Sequence, residues 1–222
     1  MADANDLPQT DSGIPIKRLY DATDLDGWDP AEQLGALALS NADTQTYGAR
    51  ATTSLPLGKR AKLNLAASYA RQSGWKQNPA SYSADYFAAE AGLVHGGLGL
   101  TAGYELLGSD SGRAFQTPMA TLHKFNGWAD LFLTTPPAGL QDWYAGVGIK
   151  FPRVKALPGL NAAVSYHHFG SDVGSLHYGD EWDASLGFKV KRVAVLAKFA
   201  DYRADRFGSD TRKFWLQFEL AY

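Results

Sequence analysis

At the end of the chain Phe214, Leu216, Phe218, Leu220 and Tyr222 alternate with Trp215, Gln217, Glu219 and Ala221. Successive strand side chains point to opposite faces, so this segment reads as a strand with one apolar face and one mostly polar face. The same period of two recurs upstream. Leu63, Leu65, Ala67 and Tyr69 alternate with Lys62, Asn64, Ala66 and Ser68. Leu98, Leu100, Ala102, Tyr104 and Leu106 oppose Thr101 and Glu105, and Trp143, Ala145, Val147, Ile149 and Phe151 oppose Asp142, Tyr144 and Lys150. Leu160, Ala162, Val164 and Tyr166 oppose Asn161, Ser165 and His167. Trp182, Ala184, Leu186, Phe188 and Val190 oppose Asp183, Ser185, Lys189 and Lys191; Val193, Val195, Ala197 and Phe199 then oppose Lys198.

Segments 34–40, 46–55 and 82–93 complete the series. The last is rich in Ala and aromatics, and its less clean faces suggest a bulge. The total is about ten strands of roughly nine to eleven residues, the length that crosses a bilayer at a tilt. Short connections at 57–60, 95–97, 152–159 and 191–192 alternate with long polar ones at 72–81, 108–140, 170–179 and 203–212. Short turns on one side and long loops on the other suit a membrane barrel better than a Greek-key sandwich. The expected fold is therefore all-β: an antiparallel up-and-down transmembrane β-barrel. Residues 1–30 form a polar extension, 31–222 the barrel, and 108–140 a long internal loop.

Composition sharpens this reading. No run approaches the ~18 apolar residues of a spanning helix, while 28 aromatics (Trp 6, Tyr 11, Phe 11) suit strands and interfacial girdles. A net charge of −2 with interspersed signs argues against a nucleic-acid partner. Cysteine is absent, which suits passage through an oxidising compartment and removes thiolate sites. The start, Met1-Ala2-Asp3-Ala4-Asn5, lacks the basic and apolar regions of a signal peptide; we read it as a mature sequence from the bacterial outer membrane. Asp21, Asp24 and Asp26-Gly27 imitate a calcium loop, but Ala22 and Gln33 stand where ligands are needed.

The segment Phe115-Gln116-Thr117-Pro118-Met119-Ala120-Thr121-Leu122-His123-Lys124-Phe125-Asn126-Gly127-Trp128-Ala129-Asp130 is too specific for generic loop. With Thr134-Thr135-Pro136-Pro137, Gly139-Leu140-Gln141-Asp142 and Ser209-Asp210-Thr211-Arg212-Lys213-Phe214-Trp215-Leu216-Gln217, it resembles the alginate-export family of outer-membrane porins. The resemblance runs from about Thr46 to Tyr222 and corresponds to the C-terminal half of such proteins. It implies a passive, non-enzymatic channel for hydrophilic solutes, acidic saccharides among them.

Strand parity gives the expected lumen set: Lys62, Lys150, Lys189, Lys198 and Lys213 with His167, against Asp85, Glu105, Asp142, Asp183 and Glu219. The balance of signs fits a lumen of paired charges as well as it fits a pore, since a channel for polyanions should focus positive potential. In loop 108–140 the large apolar side chains need burial. Leu122, Phe125 and Trp128 recur at helical spacing, which predicts a short helix over 121–133. The loop is expected to dock in the lumen as a constriction carrying His123, Lys124, Phe125, Trp128 and Asp130.

Competing readings are a structural barrel with little conductance, a soluble barrel folded around a hydrophobic ligand, and an outer-membrane hydrolase. For the last, Ser165, Ser171 and Ser175 lie near His167, His168 and His177, but neither H-E-x-x-H nor G-x-S-x-G occurs. No catalytic residue, metal or cofactor is expected. The expected partners are the lipid bilayer and a hydrophilic solute, with the protein monomeric.

Overall fold

The computed structural model describes residues 43–76, 78–117 and 126–220. The extension 1–30, its calcium-like cluster, the strand expected at 34–40, His123, Lys124, Phe125 and Tyr222 lie outside them. Nine long strands form one antiparallel sheet: β1 (Thr44–Leu57), β2 (Ala61–Gly74), β3 (Ser83–His95), β4 (Leu98–Leu107), β7 (Leu140–Lys150), β8 (Asn161–Gly170), β9 (His177–Val190), β10 (Val193–Ala204) and β11 (Thr211–Leu220). Each pairs with its sequence neighbour, and β5 (Ser109–Asp110) with β6 (Arg113–Ala114) makes a separate small hairpin between β4 and β7. Among the described residues β1 and β11 are the sheet edges.

Two-residue turns connect β3 to β4 at Gly96-Gly97 and β9 to β10 at Lys191-Arg192. Gly96 (φ 59°) and Lys191 (φ 55°) adopt the left-handed backbone that tight hairpins demand. The connections alternate in length as the sequence suggests, except at 151–160. The turn 151–160 is longer than the loops 171–176 and 205–210, because the strands run further than expected toward the long-loop end.

The expected bulge in β3 does not occur. Its register with β2 and β4 is continuous, and the irregularity lies instead at Phe169/Gly170 between β8 and β9. The helix expected over 121–133 is absent from its described part: residues 126–133 are turns. Asn126 (φ 56°), Gly127 (φ 79°) and Asp130 (φ 54°) all have left-handed backbone, which a right-handed helix cannot contain.

The two faces of the sheet differ as alternation requires. Tyr47, Tyr69, Phe87, Trp143, Trp182, Phe199 and Phe214 project outward near the long-loop end, followed toward the short turns by Val147, Ile149, Leu186, Val190, Leu216 and Leu220, all exposed. From Trp182 to Val190 is about 26 Å along the strand at roughly 3.3 Å per residue, close to the apolar height of an outer-membrane barrel. Beyond the aromatics the outward face turns polar, with Arg71 and Asp85 3.4 Å apart and Arg212 2.9 Å from Asp201. A soluble barrel built around a hydrophobic ligand would turn the apolar face inward; here that face is outside.

The core sits on the inner face at the long-loop end. Phe132 packs against Phe169 (centroids 4.6 Å), Phe207 (5.1 Å) and Tyr178 (6.0 Å). Leu107, Phe115, Ala129, Leu140, Ala200 and Tyr202 are buried around it. Segment 126–140 is thus laid on the inner face, where burying a residue such as Phe132 contributes about 1.5–3 kcal/mol.

Candidate functional site

Inner-face parity follows from register. Glu105 on β4 stands opposite Asp142 on β7, and His167 on β8 opposite Glu181 on β9. Glu105, Asp142, Glu181 and Asp183 are all buried. Isolated buried carboxylates are costly, and each of these has a specific partner. The Tyr86 hydroxyl donates to Glu105 at 2.6 Å. His167 Nδ1 lies 2.9 Å from Asp142, and its Nε2 3.8 Å from Asp183.

The docked segment supplies the rest. The backbone N–H of Ala129 donates to Glu181 Oε1 at 2.7 Å, and that of Trp128 to Asp183 Oδ2 at 3.3 Å. Gly127 is required at this approach, since a Cβ there would fall 2.5 Å from Glu181 Oε2. Lys198 Nζ lies 3.9 Å above the Trp128 ring and 5.6 Å from that of Trp215, a cation–π seat in a partly desolvated place. Lys213 pairs with Asp130 at 3.2 Å. The inner face and the segment are therefore joined by charge as well as by apolar packing.

Beside this lies a cavity of about 200 Å³ lined by Arg50, Ser68, Tyr86, Glu90, Glu105, Asn126, Tyr144 and His167 among others. Tyr144 crosses over Gly103, where any Cβ would collide with its ring, and its hydroxyl donates to Glu90 at 2.8 Å. Arg50 extends from β1, and the Glu90 and Glu105 carboxylates from β3 and β4. The cavity presents both signs of charge to whatever occupies it.

The structure thus gathers Glu105, Asp142, His167, Asp183, Lys198, Lys213, Trp128 and Asp130 at one end of the inner face. Lys62, Lys150, Lys189 and Glu219 share that face but lie toward the short turns. Asp85 is a correction: it sits on the outward face with Phe87 and Leu93, accepting from the Tyr69 hydroxyl at 2.8 Å. It lies above the apolar band, where an outward carboxylate remains in water. Arg50, Tyr86, Glu90 and Glu181 belong to the inner face and were not in the expected set. Ser171 Oγ accepts from the Leu176 amide at 2.8 Å, and His167, His168 and His177 lie against carboxylates.

No family model and no curated protein matches the chain. Solved structures do. OccK9 (OpdG) of Pseudomonas aeruginosa aligns with TM-score 0.62 and 15% identity, covering 79% of this chain and 46% of that one. OccK2 (OpdF) of the same organism aligns with TM-score 0.58 and 18% identity over 80% of this chain and 51% of that one. The outer membrane protein OprD from P. aeruginosa gives TM-score 0.57 and 13% identity over 81% and 54%. The fold is that of these outer-membrane β-barrels, and the chain spans about half of their length. These likenesses support a porin-like fold and give the alginate-export resemblance no support.

Proposed function

We propose that this chain belongs to an outer-membrane β-barrel that passes hydrophilic solutes passively through its inner face, and that it catalyses no reaction. The carrying observation is the polar cavity between Arg50, Glu90 and Glu105 on a sheet whose other face is apolar. Closure into a barrel, by strands beyond the nine described, would place this cavity and segment 126–140 in the water-filled path. Cations and anions both line it, which favours small polar or zwitterionic solutes over a polyanion. The reading takes the barrel as a monomer in the bacterial outer membrane.

Planar-bilayer conductance of detergent-refolded protein tests this. The parent should form discrete channels. Arg50→Ala should move the reversal potential in a salt gradient toward cation preference, because the remaining cavity charges are carboxylates. Replacing 116–135 with a short Gly/Ser turn should raise single-channel conductance. A folded, inserted protein that conducts nothing with or without that segment would favour a purely structural barrel.

A further inference from the structure

On the outward polar rim, beyond the aromatic belt, β8 and β9 bring together three groups of a different kind. We propose that His168, His177 and Asp180 form a binding site for a borderline divalent transition-metal ion of the Zn²⁺ class. The candidate ligand atoms lie within 4.8 Å of one another. His168 Nδ1 is 2.8 Å from Asp180 Oδ1, and His177 Nε2 is 3.3 Å from the same oxygen. The imidazoles stack with centroids 4.6 Å apart, and each turns one nitrogen toward Asp180 Oδ1. Ligand atoms on a tetrahedral ion with bonds of 2.0–2.1 Å stand roughly 3.4 Å apart. Closing the site therefore requires one imidazole to rotate out of the stack, so that both in-plane lone pairs meet at the ion.

The placement of the two His177 nitrogens points the same way. Its Nδ1 lies 3.2 Å from Asp205 Oδ2, while its Nε2 is buried without a hydrogen-bond partner and faces Asp180. A neutral imidazole donates from only one nitrogen. In the tautomer with its proton on Nδ1, toward Asp205, the Nε2 lone pair of His177 faces Asp180 Oδ1 at 3.3 Å, where a bound cation would bridge the two. Carboxylate to one imidazole nitrogen and metal to the other is the usual outer arrangement of a metal-bound histidine. Tyr166 donates to Asp180 Oδ1 at 2.8 Å and fixes that carboxylate. The nearby Arg203 guanidinium is turned to Asp201 (3.1 Å) and Asp210 (3.5 Å), and Arg206 Nε lies 3.9 Å from Asp205 Oδ1. Two imidazoles and one carboxylate select Zn²⁺, Cu²⁺ or Ni²⁺ over Ca²⁺ or Mg²⁺.

The test is titration of the refolded full chain in metal-free detergent buffer with Zn²⁺ by calorimetry and with Cu²⁺ by electron paramagnetic resonance. It does not depend on whether the protein conducts. The expected result is one Zn²⁺ per chain in the micromolar range, with nitrogen hyperfine structure from two imidazoles on Cu²⁺. His168→Ala should abolish stoichiometric binding, and Asp205→Asn should weaken it by about 10–100-fold. His168 is half-exposed, so its replacement leaves the ladder and core intact; unchanged circular dichroism verifies this. Absence of saturable Zn²⁺ binding in the parent, or parent-like affinity in His168→Ala, overturns the proposal.

Discussion

Gln72 and Gln116 exchange two hydrogen bonds: Gln72 Nε2 donates to the Gln116 carbonyl at 2.9 Å, and Gln72 Oε1 accepts from the Gln116 amide at 2.9 Å. A buried side-chain amide on β2 thus takes the place of a neighbouring strand for one residue of the long loop. Gln72→Leu would leave both backbone groups of Gln116 unpaired, at a cost of about 1–3 kcal/mol each when buried. The expected outcome is a lower denaturant midpoint and faster hydrogen exchange at Gln116. Exchange in the centres of β9 and β10 should not change.

Phe132 joins segment 126–140 to β8, β9, β10 and the 205–210 loop through four aromatic neighbours. Phe132→Ala should destabilise by about 3–5 kcal/mol, the range for large aromatic truncations in packed sites. Because the lost contacts are those of the docked segment, limited proteolysis should cut near it before any strand is cleaved. Parent-like proteolysis would show that the ionic contacts at Glu181, Asp183 and Lys213 hold the segment without it.

Leu186 lies midway between Trp182 and Val190 on the outward face of β9. If that face meets lipid, Leu186→Arg should cost roughly 2–4 kcal/mol in refolding free energy, and Val190→Arg about 0–1 kcal/mol at the interface. Reversible urea unfolding from lipid vesicles would measure both. Equal costs would contradict a bilayer centred between these positions.

The Asp110 carboxyl lies outside the sheet, in the small hairpin. The backbone N–H of Ser83, at 2.8 Å, and the hydroxyl of Ser111 hold it below the usual carboxylate range. A depressed folded value means that its contribution is fully present above the unfolded value of about 3.9 and is lost as pH falls through the folded one. The amide chemical shift of Ser83 should therefore titrate with a midpoint below 3.9, and Asp110→Asn should remove that titration.

Much of the sheet was legible because a strand with one apolar face writes its orientation directly into every second residue. The parity read from Trp143, Val147 and Ile149 matches their exposure, and Asp142 opposite them is buried. Two kinds of information were not legible. Strand ends lie beyond the apolar band, where the alternation fades, so the sequence pattern starts β9 at Trp182 and leaves out Glu181, one residue earlier. The faces of segment 82–93 are not clean in the sequence, which places Asp85 inward, whereas Phe87 and Leu93 set the parity of β3 and put it outward. The loop misled for another reason. Leu122, Phe125 and Trp128 carry a helical spacing, but Asn126 and Gly127 break the backbone between them. Its large side chains seek the inner face through tertiary packing that local periodicity does not encode. The contact of Ala129 with Glu181 is a long-range one of the same kind, set by the chain's return to the sheet.

The division of labour between the two faces also bears on how freely this sequence can drift. If the outward face meets lipid, its positions ask only for an apolar residue, since a bilayer has no shape to complement, and the ladder is made by backbone atoms that every residue carries. Specific identity is demanded at far fewer places, such as Gly127 against Glu181 or Gln72 against Gln116. A chain under such rules can exchange most of its letters while keeping its path in space, and an alignment of three-dimensional traces can succeed where identity is only 15%. For this architecture the alphabet is nearly binary outside and fully literal only at a few inner positions.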